Sequence, residues 1–168
     1  IVEDYKPYEV MRVKECTYTP GGKGLNVTKV ASLLHEDVVA TGFVGGHAGE
    51  WVLEALSRLG INHQFVKTDK ETRTCINIKD LATGKHTEFL EPGAPVDTEY
   101  EVAFIETFKK LIQNSDVITI SGSIPQGVSK DIYCKLVELC KEAGKKVLVD
   151  TSGALLEGII DSKPTMIK

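Results

Sequence analysis

The chain has 168 residues, of which 42% are hydrophobic and 26% are charged, a composition that is ordinary for one globular domain. Its net charge of −4 gives no electrostatic reason to expect a nucleic acid or an anionic membrane as a partner, and no apolar stretch approaches the roughly 20 residues of a membrane span. Four cysteines without a Cys-x-x-Cys pair, and four histidines without ligand spacing, predict reduced thiols in a cytoplasmic protein and no metal site. Because the sequence starts without Met and stops in an apolar run, we expect a piece of a longer protein.

A glycine-rich turn at residues 21–24 leads into a predicted helix at residues 24–34. Such a turn gathers unpaired N–H groups and the positive end of the helix dipole, which attract phosphate. Lys23 adds a positive charge, and Asn26 adds a side chain that can donate and accept hydrogen bonds. The turn matches neither the P-loop motif nor the Rossmann fingerprint, because a glycine follows Lys23 and the third glycine is missing. Taken alone, it predicts either an anion site or a plain tight turn.

Beyond this turn, predicted helices alternate with predicted strands, which indicates βαβ units and a mainly parallel sheet. The helices are expected near residues 24–34 (with Val27, Val30, Ala31 and Leu34 at helical spacing), 50–59, 98–113, 129–143 and 154–160. The strands are expected near residues 38–44, 61–66, 117–120, 146–150 and from 165 onward. Residues 72–91 differ, since they alternate around a turn and predict a β-hairpin with one polar face. With the extended segment 1–19, this hairpin could form a small second sheet.

Polar residues at the ends of predicted strands mark candidate binding positions, because open α/β sheets bind ligands at the carboxyl ends of their strands. Ser121 and Ser123 follow one strand, and Asp150 ends another, although Asp150 could equally cap the next helix. Arg73 starts the hairpin and could pair with a phosphate, whereas an isolated arginine is most often a surface residue. The second glycine cluster, residues 42–49, is better explained as a strand-to-helix turn that needs positive φ.

Four segments together resemble the ribokinase/PfkB family of sugar kinases, most closely its 1-phosphofructokinase and tagatose-6-phosphate kinase branch. They are Gly-Gly-Lys-Gly-Leu-Asn at 21–26, Glu-Thr-Arg at 71–73, Ser-Gly-Ser-Ile-Pro-Gln-Gly at 121–127 and Asp-Thr-Ser-Gly at 150–153. The resemblance covers essentially the whole chain. It implies part of a ribokinase-like fold: a three-layer α/β/α core with a mainly parallel sheet, from about 20–71 and 92–168, and a small β-sheet lid, from about 1–19 and 72–91.

The resemblance also implies a reaction, the transfer of the γ-phosphate of MgATP to a hydroxyl of a sugar phosphate, and a homodimer formed through the lid. The residues that it implies for sugar-phosphate binding are Arg12, Gly22, Lys23, Asn26, Arg73, Cys75 and Ser123. Lys168 resembles a lysine that lies near the ATP phosphates in this family. Pro20 and His35 depart from the residues usual in the family, at positions away from this chemistry.

The parts of the family pattern that carry the chemistry are missing from these 168 residues. The family's catalytic Asp belongs to a downstream Gly-Ala/Thr-Gly-Asp motif, and a sugar-binding Asp lies on an earlier strand. The adenine pocket is also absent. Asp150 is a poor candidate for the base, and we therefore assign no catalytic residue and expect the 168-residue chain alone to be inactive.

Several functions stay open at this stage. The first is phosphorylation of fructose 1-phosphate to fructose 1,6-bisphosphate, and the second is phosphorylation of tagatose 6-phosphate. The alternatives are a kinase for an unphosphorylated sugar, a non-catalytic module that binds a sugar phosphate, and a dinucleotide-binding oxidoreductase domain, against which the missing third glycine argues.

Overall fold

A computed structural model describes all residues from 1 to 168. The five helices are α1 (Lys23–Leu33), α2 (Gly46–Arg58), α3 (Thr98–Gln113), α4 (Ile132–Glu142) and α5 (Ala154–Ile159). The nine strands are β1 (Val39–Ala40), β2 (Phe43–Gly45), β3 (Asn62–His63), β4 (Val66–Thr68), β5 (Cys75–Lys79), β6 (His86–Leu90), β7 (Val117–Ser121), β8 (Lys146–Asp150) and β9 (Met166–Ile167). None of the helices combines the length and the apolar character needed to cross a bilayer.

Every strand pair outside the hairpin β5–β6 is parallel, which confirms the predicted α/β class. Strand β1 pairs with β3, β2 pairs with β4, and β8 lies between β7 and β9. Helices α4 and α5 connect neighbouring parallel strands, as βαβ units require. The register of β7 and β8 sets Ser121 opposite Asp150, so two of the candidate polar residues lie side by side at the carboxyl end of the sheet.

The predicted strands at 38–44 and 61–66 were wrong in detail, because each is divided into two short strands. The break falls at Thr41 and Gly42, where the Thr41 hydroxyl donates to the carbonyl of Gln64 at 2.6 Å. Gly42 has a φ of 151°, and a Cβ there would lie 3.4 Å from the ring of Phe65. The chain bends at this glycine and then resumes pairing in the same relative register.

Two apolar clusters show that helices cover both faces of the sheet. The larger cluster has 15 buried residues and joins α3, α4 and α5 to β7 and β8. The smaller cluster consists of Ala40, Leu56 and Ile61, with Leu25 of α1 and Val52 of α2 packed against it. Phe65 packs with the smaller cluster and its neighbour Val66 with the larger one. Since α1 and α2 pack on the smaller cluster and α3, α4 and α5 on the larger one, the core has three layers, α/β/α.

Helix α1 forms as predicted, but its apolar stripe does not face the core. Val27, Val30 and Leu34 are exposed, whereas Thr28, on the opposite side, is buried and donates to the carbonyl of Gly24 at 3.0 Å. The helix packs against β1 and β7, and its contacts to the core come from Leu25 and the side that carries Thr28. Helical spacing therefore identified the helix correctly, while the packing of its neighbours decided which side is buried.

The hairpin has the predicted polar face. Ile76 lies opposite Phe89 on one face, and Asn77 lies opposite Glu88 on the other, where their side chains bond at 2.6 Å. The N-terminal segment pairs with the hairpin through one isolated bridge, from Val2 to Asp80, the residue that follows β5. The segment contains no strand, so it does not form the predicted second sheet with the hairpin.

Candidate functional site

The glycine turn and the start of α1 lie at the carboxyl end of β7 and β8. Gly22 precedes the helix with a φ of 100°, a conformation that favours glycine, and no side chain caps the helix start. The amide of Asn26 donates to the carbonyl of Gly22 at 3.0 Å, which closes the first helical turn. The side chain of Lys29 holds the buried Pro20 by donating to its carbonyl at 3.0 Å. The turn is thus fixed by its own helix, and the first N–H groups of α1 have no partner within the helix.

The carboxylate of Asp150 lies between two lysines. Lys23 Nζ is 3.3 Å from Oδ1, and Lys168 Nζ is 3.9 Å from Oδ2. Lys168 reaches this point because its amide continues the pairing of β9 with β8 and donates to Val149 at 2.9 Å. Two cations and one carboxylate leave an excess positive charge, and both lysine side chains are more than half exposed. This end of the sheet therefore favours an anion from solvent.

The backbone of Gly122 links Asp150 to the serine-rich turn after β7. Its amide donates to the carbonyl of Asp150 at 3.0 Å, and its carbonyl accepts from the hydroxyls of Tyr133 at 3.2 Å and Thr151 at 3.1 Å. Burial, and to a lesser extent the charge of Asp150, raises the pKa of Tyr133, so its hydroxyl stays protonated as a donor. Three hydrogen bonds thus fix the turn that carries Ser123.

Arg73 and Ser123 line one cavity of about 210 Å³. The guanidinium of Arg73 donates to the carbonyl of Glu91 at 3.3 Å, and its aliphatic part packs beside Gly93. The remaining walls come from Phe43, Val44, Thr68, Lys70, Glu71, Thr72, Pro92, Gly93, Ala94, Val96, Ile124 and Pro125. Ligand pockets usually measure about 300–1,000 Å³, so this cavity can enclose a small polar group such as a phosphate rather than a whole nucleotide.

The structure brings five of the predicted site residues into two neighbouring groups. Arg73 and Ser123 share the cavity, Lys23 and Lys168 meet at Asp150, and Gly22 directly precedes Lys23. The two groups are adjacent, because Gly122 precedes Ser123 and a Cβ on that glycine would lie 4.0 Å from the Cβ of Lys23. The serine turn therefore connects the phosphate-sized cavity with the lysine pair.

The other three predicted residues lie apart from these groups. Asn26 is exposed one turn into α1. Cys75 is exposed at the first residue of β5, two residues after Arg73. Arg12 is exposed in the N-terminal segment. Their proposed contacts with a sugar phosphate remain predictions.

Two alternatives from the sequence are also decided by the geometry. Asp150 does not cap the following helix: α5 begins after Gly153 and has no side-chain cap. The second glycine cluster is a strand-to-helix turn, as predicted, with Gly46 at a φ of 64°. Sequence reasoning missed Glu71, whose carboxylate accepts from the amides of that turn. The available signal was the Glu-Thr-Arg triplet at 71–73, which contains this carboxylate next to Thr72 and Arg73.

The chain is similar over nearly its whole length to sugar kinases. The model of the pfkB family of carbohydrate kinases matches residues 1–168. A possible 1-phosphofructokinase from Thermotoga maritima is 35% identical with a TM-score of 0.92, and the match covers 99% of this chain and 54% of that one. A putative phosphofructokinase from Staphylococcus aureus is 26% identical, with a TM-score of 0.79 and coverage of 99% and 53%. The tetrameric inhibited form of phosphofructokinase-2 from Escherichia coli is 25% identical, with a TM-score of 0.84 and coverage of 95% and 53%. The chain spans about half the length of these structures, and it belongs to the pfkB family of carbohydrate kinases.

Proposed function

We propose that this chain forms the acceptor-sugar side of an ATP-dependent kinase that phosphorylates fructose 1-phosphate to fructose 1,6-bisphosphate. The observation that carries the proposal is the pair of adjacent groups at the carboxyl end of β7 and β8. One group offers Arg73 and Ser123 around a phosphate-sized cavity, and the other offers Lys23 and Lys168 around Asp150. The similarity to a possible 1-phosphofructokinase supports this choice of sugar over others.

Each residue has a role that follows from its chemistry. The guanidinium of Arg73 can hold a phosphate through paired hydrogen bonds, which suits an acceptor that is already phosphorylated. Lys23 and the N–H groups after Gly22 add positive charge at the start of α1. Ser123 and Asn26 can bond the sugar hydroxyls. Arg12 and Cys75 would contact the same ligand from the N-terminal segment and the hairpin.

Lys168 fits the phosphates of ATP, which supplies the transferred phosphoryl group when bound. Lys168 would lie against those phosphates, and Lys23 would lie between them and the acceptor. Asp150 is the one carboxylate of this group, and Mg²⁺ in kinases is commonly held by one or two carboxylates together with nucleotide oxygens. Lys23, Lys168 and Asp150 would therefore supply a part of the contacts that MgATP needs.

The general base is not among these residues in our proposal. Phosphoryl transfer needs a group that orients and deprotonates the acceptor hydroxyl. Asp150 pairs with both lysines, which suits a role in positioning them rather than in taking a proton. We therefore expect the 168-residue chain alone to release no ADP above background.

We also propose a homodimer formed through the hairpin. Ile76 and Phe89 are cross-strand neighbours that are 57% and 52% exposed, so one face of the hairpin presents apolar area that a second copy could bury. The matched phosphofructokinase-2 from Escherichia coli is described as tetrameric, so assembly occurs among similar proteins.

The test is the release of ADP from MgATP by the full-length protein with fructose 1-phosphate, tagatose 6-phosphate and fructose as acceptors. We expect the highest kcat/KM with fructose 1-phosphate. A higher kcat/KM with tagatose 6-phosphate would identify that sugar phosphate as the substrate instead. A higher kcat/KM with fructose would refute the proposal that the acceptor is already phosphorylated. Thermal stabilisation by the sugar phosphates without any turnover would instead identify a binding module.

A further inference from the structure

The N-terminus of α2 is capped by a residue from a distant part of the chain. The helix has no acidic residue in its first turn, and Gly45, which precedes it, has no side chain to cap it. Instead, the carboxylate of Glu71 accepts from the amide of Ala48 at 2.6 Å through Oε1 and from that of His47 at 3.2 Å through Oε2. A negative charge at this end also interacts favourably with the helix dipole.

Thr72 adds a second attachment at the same place. Its hydroxyl accepts from the amide of Gly45 at 2.9 Å, and its own amide donates to the carbonyl of Gly45 at 2.8 Å. Residues 71 and 72 are therefore joined to the start of α2 by four hydrogen bonds. This is more than a helix cap requires, since one or two bonds satisfy a cap.

The glycines of the β2–α2 turn provide the space for this attachment. A Cβ on Gly46 would lie 2.0 Å from Glu71 Oε2, and a Cβ on Gly45 would lie 2.1 Å from the carbonyl oxygen of Lys70. Gly49, one turn into the helix, would place its Cβ 3.0 Å from the hydroxyl of Thr72. The glycine cluster thus receives residues 70–72.

The attachment lies directly before the residue that the proposed function places on the sugar phosphate. Arg73 follows Thr72 and lines the cavity, and the strand β5 begins two residues later. On the far side, the amide of Thr74 donates to the carboxylate of Glu91 at 2.8 Å. Arg73 is therefore held between a contact to the core and a contact across the base of the hairpin.

We propose that Glu71 is a positioning residue: by docking on the N-terminus of α2, it fixes the base of the hairpin and holds Arg73 over the cavity. This inference deepens the proposed function and rests on it. Freeing the segment would leave Arg73 chemically intact but no longer pre-organised, and binding would then have to order it.

The test compares Glu71→Gln with Glu50→Gln in the full-length protein. Glutamine keeps the shape of Glu71 but turns one of its two acceptors into a donor, which opposes one of the amides. Glu50 lies in the same helix α2 and pairs with Lys67 at 2.7 Å on the surface, so its substitution removes a comparable charge without touching residues 70–74. Amide hydrogen exchange of residues 73–90 reports the attachment, and calorimetric Kd values for fructose 1-phosphate and for ATP report binding.

We expect Glu71→Gln to weaken fructose 1-phosphate binding about tenfold, to change the Kd for ATP less than twofold, and to speed exchange in 73–90. Glu50→Gln should change none of these. Unchanged exchange in 73–90, or an equal loss of affinity for both ligands, would overturn the inference and leave Glu71 as an ordinary cap. Neither readout needs turnover, so a wild-type protein that binds the sugar phosphate but fails to phosphorylate it would refute the proposed kinase reaction and not the role of Glu71.

Discussion

Replacing Lys23 by alanine separates the proposed ligand role of this residue from its structural role. Its ion pair with Asp150 spans 3.3 Å, and the lysine side chain is 54% exposed. Pairs this exposed contribute about 0–1 kcal/mol to stability. Asp150 also keeps Lys168 as a neighbour after the substitution. We therefore expect the free energy of unfolding to fall by no more than about 1 kcal/mol.

The effect on a phosphorylated ligand should be larger. A hydrogen bond to a charged group is worth about 1.5–3 kcal/mol, and every 1.4 kcal/mol changes a dissociation constant tenfold. Loss of the Lys23–phosphate contact should thus raise the Kd for fructose 1-phosphate by about 10–150-fold. ATP should be affected less, because Lys168 lies on its side of the site in our proposal.

The assay is titration calorimetry of the full-length protein with each ligand, together with urea unfolding. Lys67→Ala is the matched control, since Lys67 is also more than half exposed, pairs with the carboxylate of Glu50 at 2.7 Å and does not line the cavity. It should leave both Kd values unchanged. A Lys23→Ala protein that binds fructose 1-phosphate within threefold of wild type, or that loses affinity mainly for ATP, would refute the assignment of Lys23 to the acceptor.

Two further predictions concern the fold. Burial raises the pKa of the Cys140 thiol to about 11, from an ordinary value near 9. The difference in pKa between the unfolded and folded states therefore contributes fully to stability below about pH 9, and this contribution is lost as the pH rises from 9 to 11. In urea unfolding at pH 8, 9 and 10, wild type should therefore lose more stability than Cys140→Val, and parallel losses would contradict the prediction. Gly46→Ala and Gly60→Ala both place alanine at positive φ, 64° and 69°, at about 1–2 kcal/mol each, but only the first drives a Cβ into Glu71. Gly46→Ala should thus lower Tm clearly more than Gly60→Ala, and equal shifts in a thermal melt would show that Glu71 moves aside without cost.

The sequence by itself determined the order and type of most elements, because periodicity and turn residues act locally. Alternating helical and strand patterns predicted the parallel sheet, and the turn at 82–85 predicted the hairpin with its polar face. The glycine turn before α1 was identified for the same reason, since its conformation depends on consecutive residues. Local patterns did not predict the break at Gly42, a position where a Cβ would lie 3.4 Å from the ring of Phe65.

The tertiary structure alone decided which of these residues meet. Lys23 and Asp150 are 127 residues apart, and they come together because the start of α1 lies at the end of β8. Glu71 reaches the N-terminus of α2 because β4 runs parallel to β2 and delivers the chain to that end of the sheet. Likewise, α1 packs on β1 and β7 in an orientation that leaves its apolar stripe exposed, although helical spacing alone predicts that such a stripe faces the core. Spacing along the chain fixes the direction of a side chain within its own element, but the neighbour that it meets depends on contacts between elements far apart in sequence.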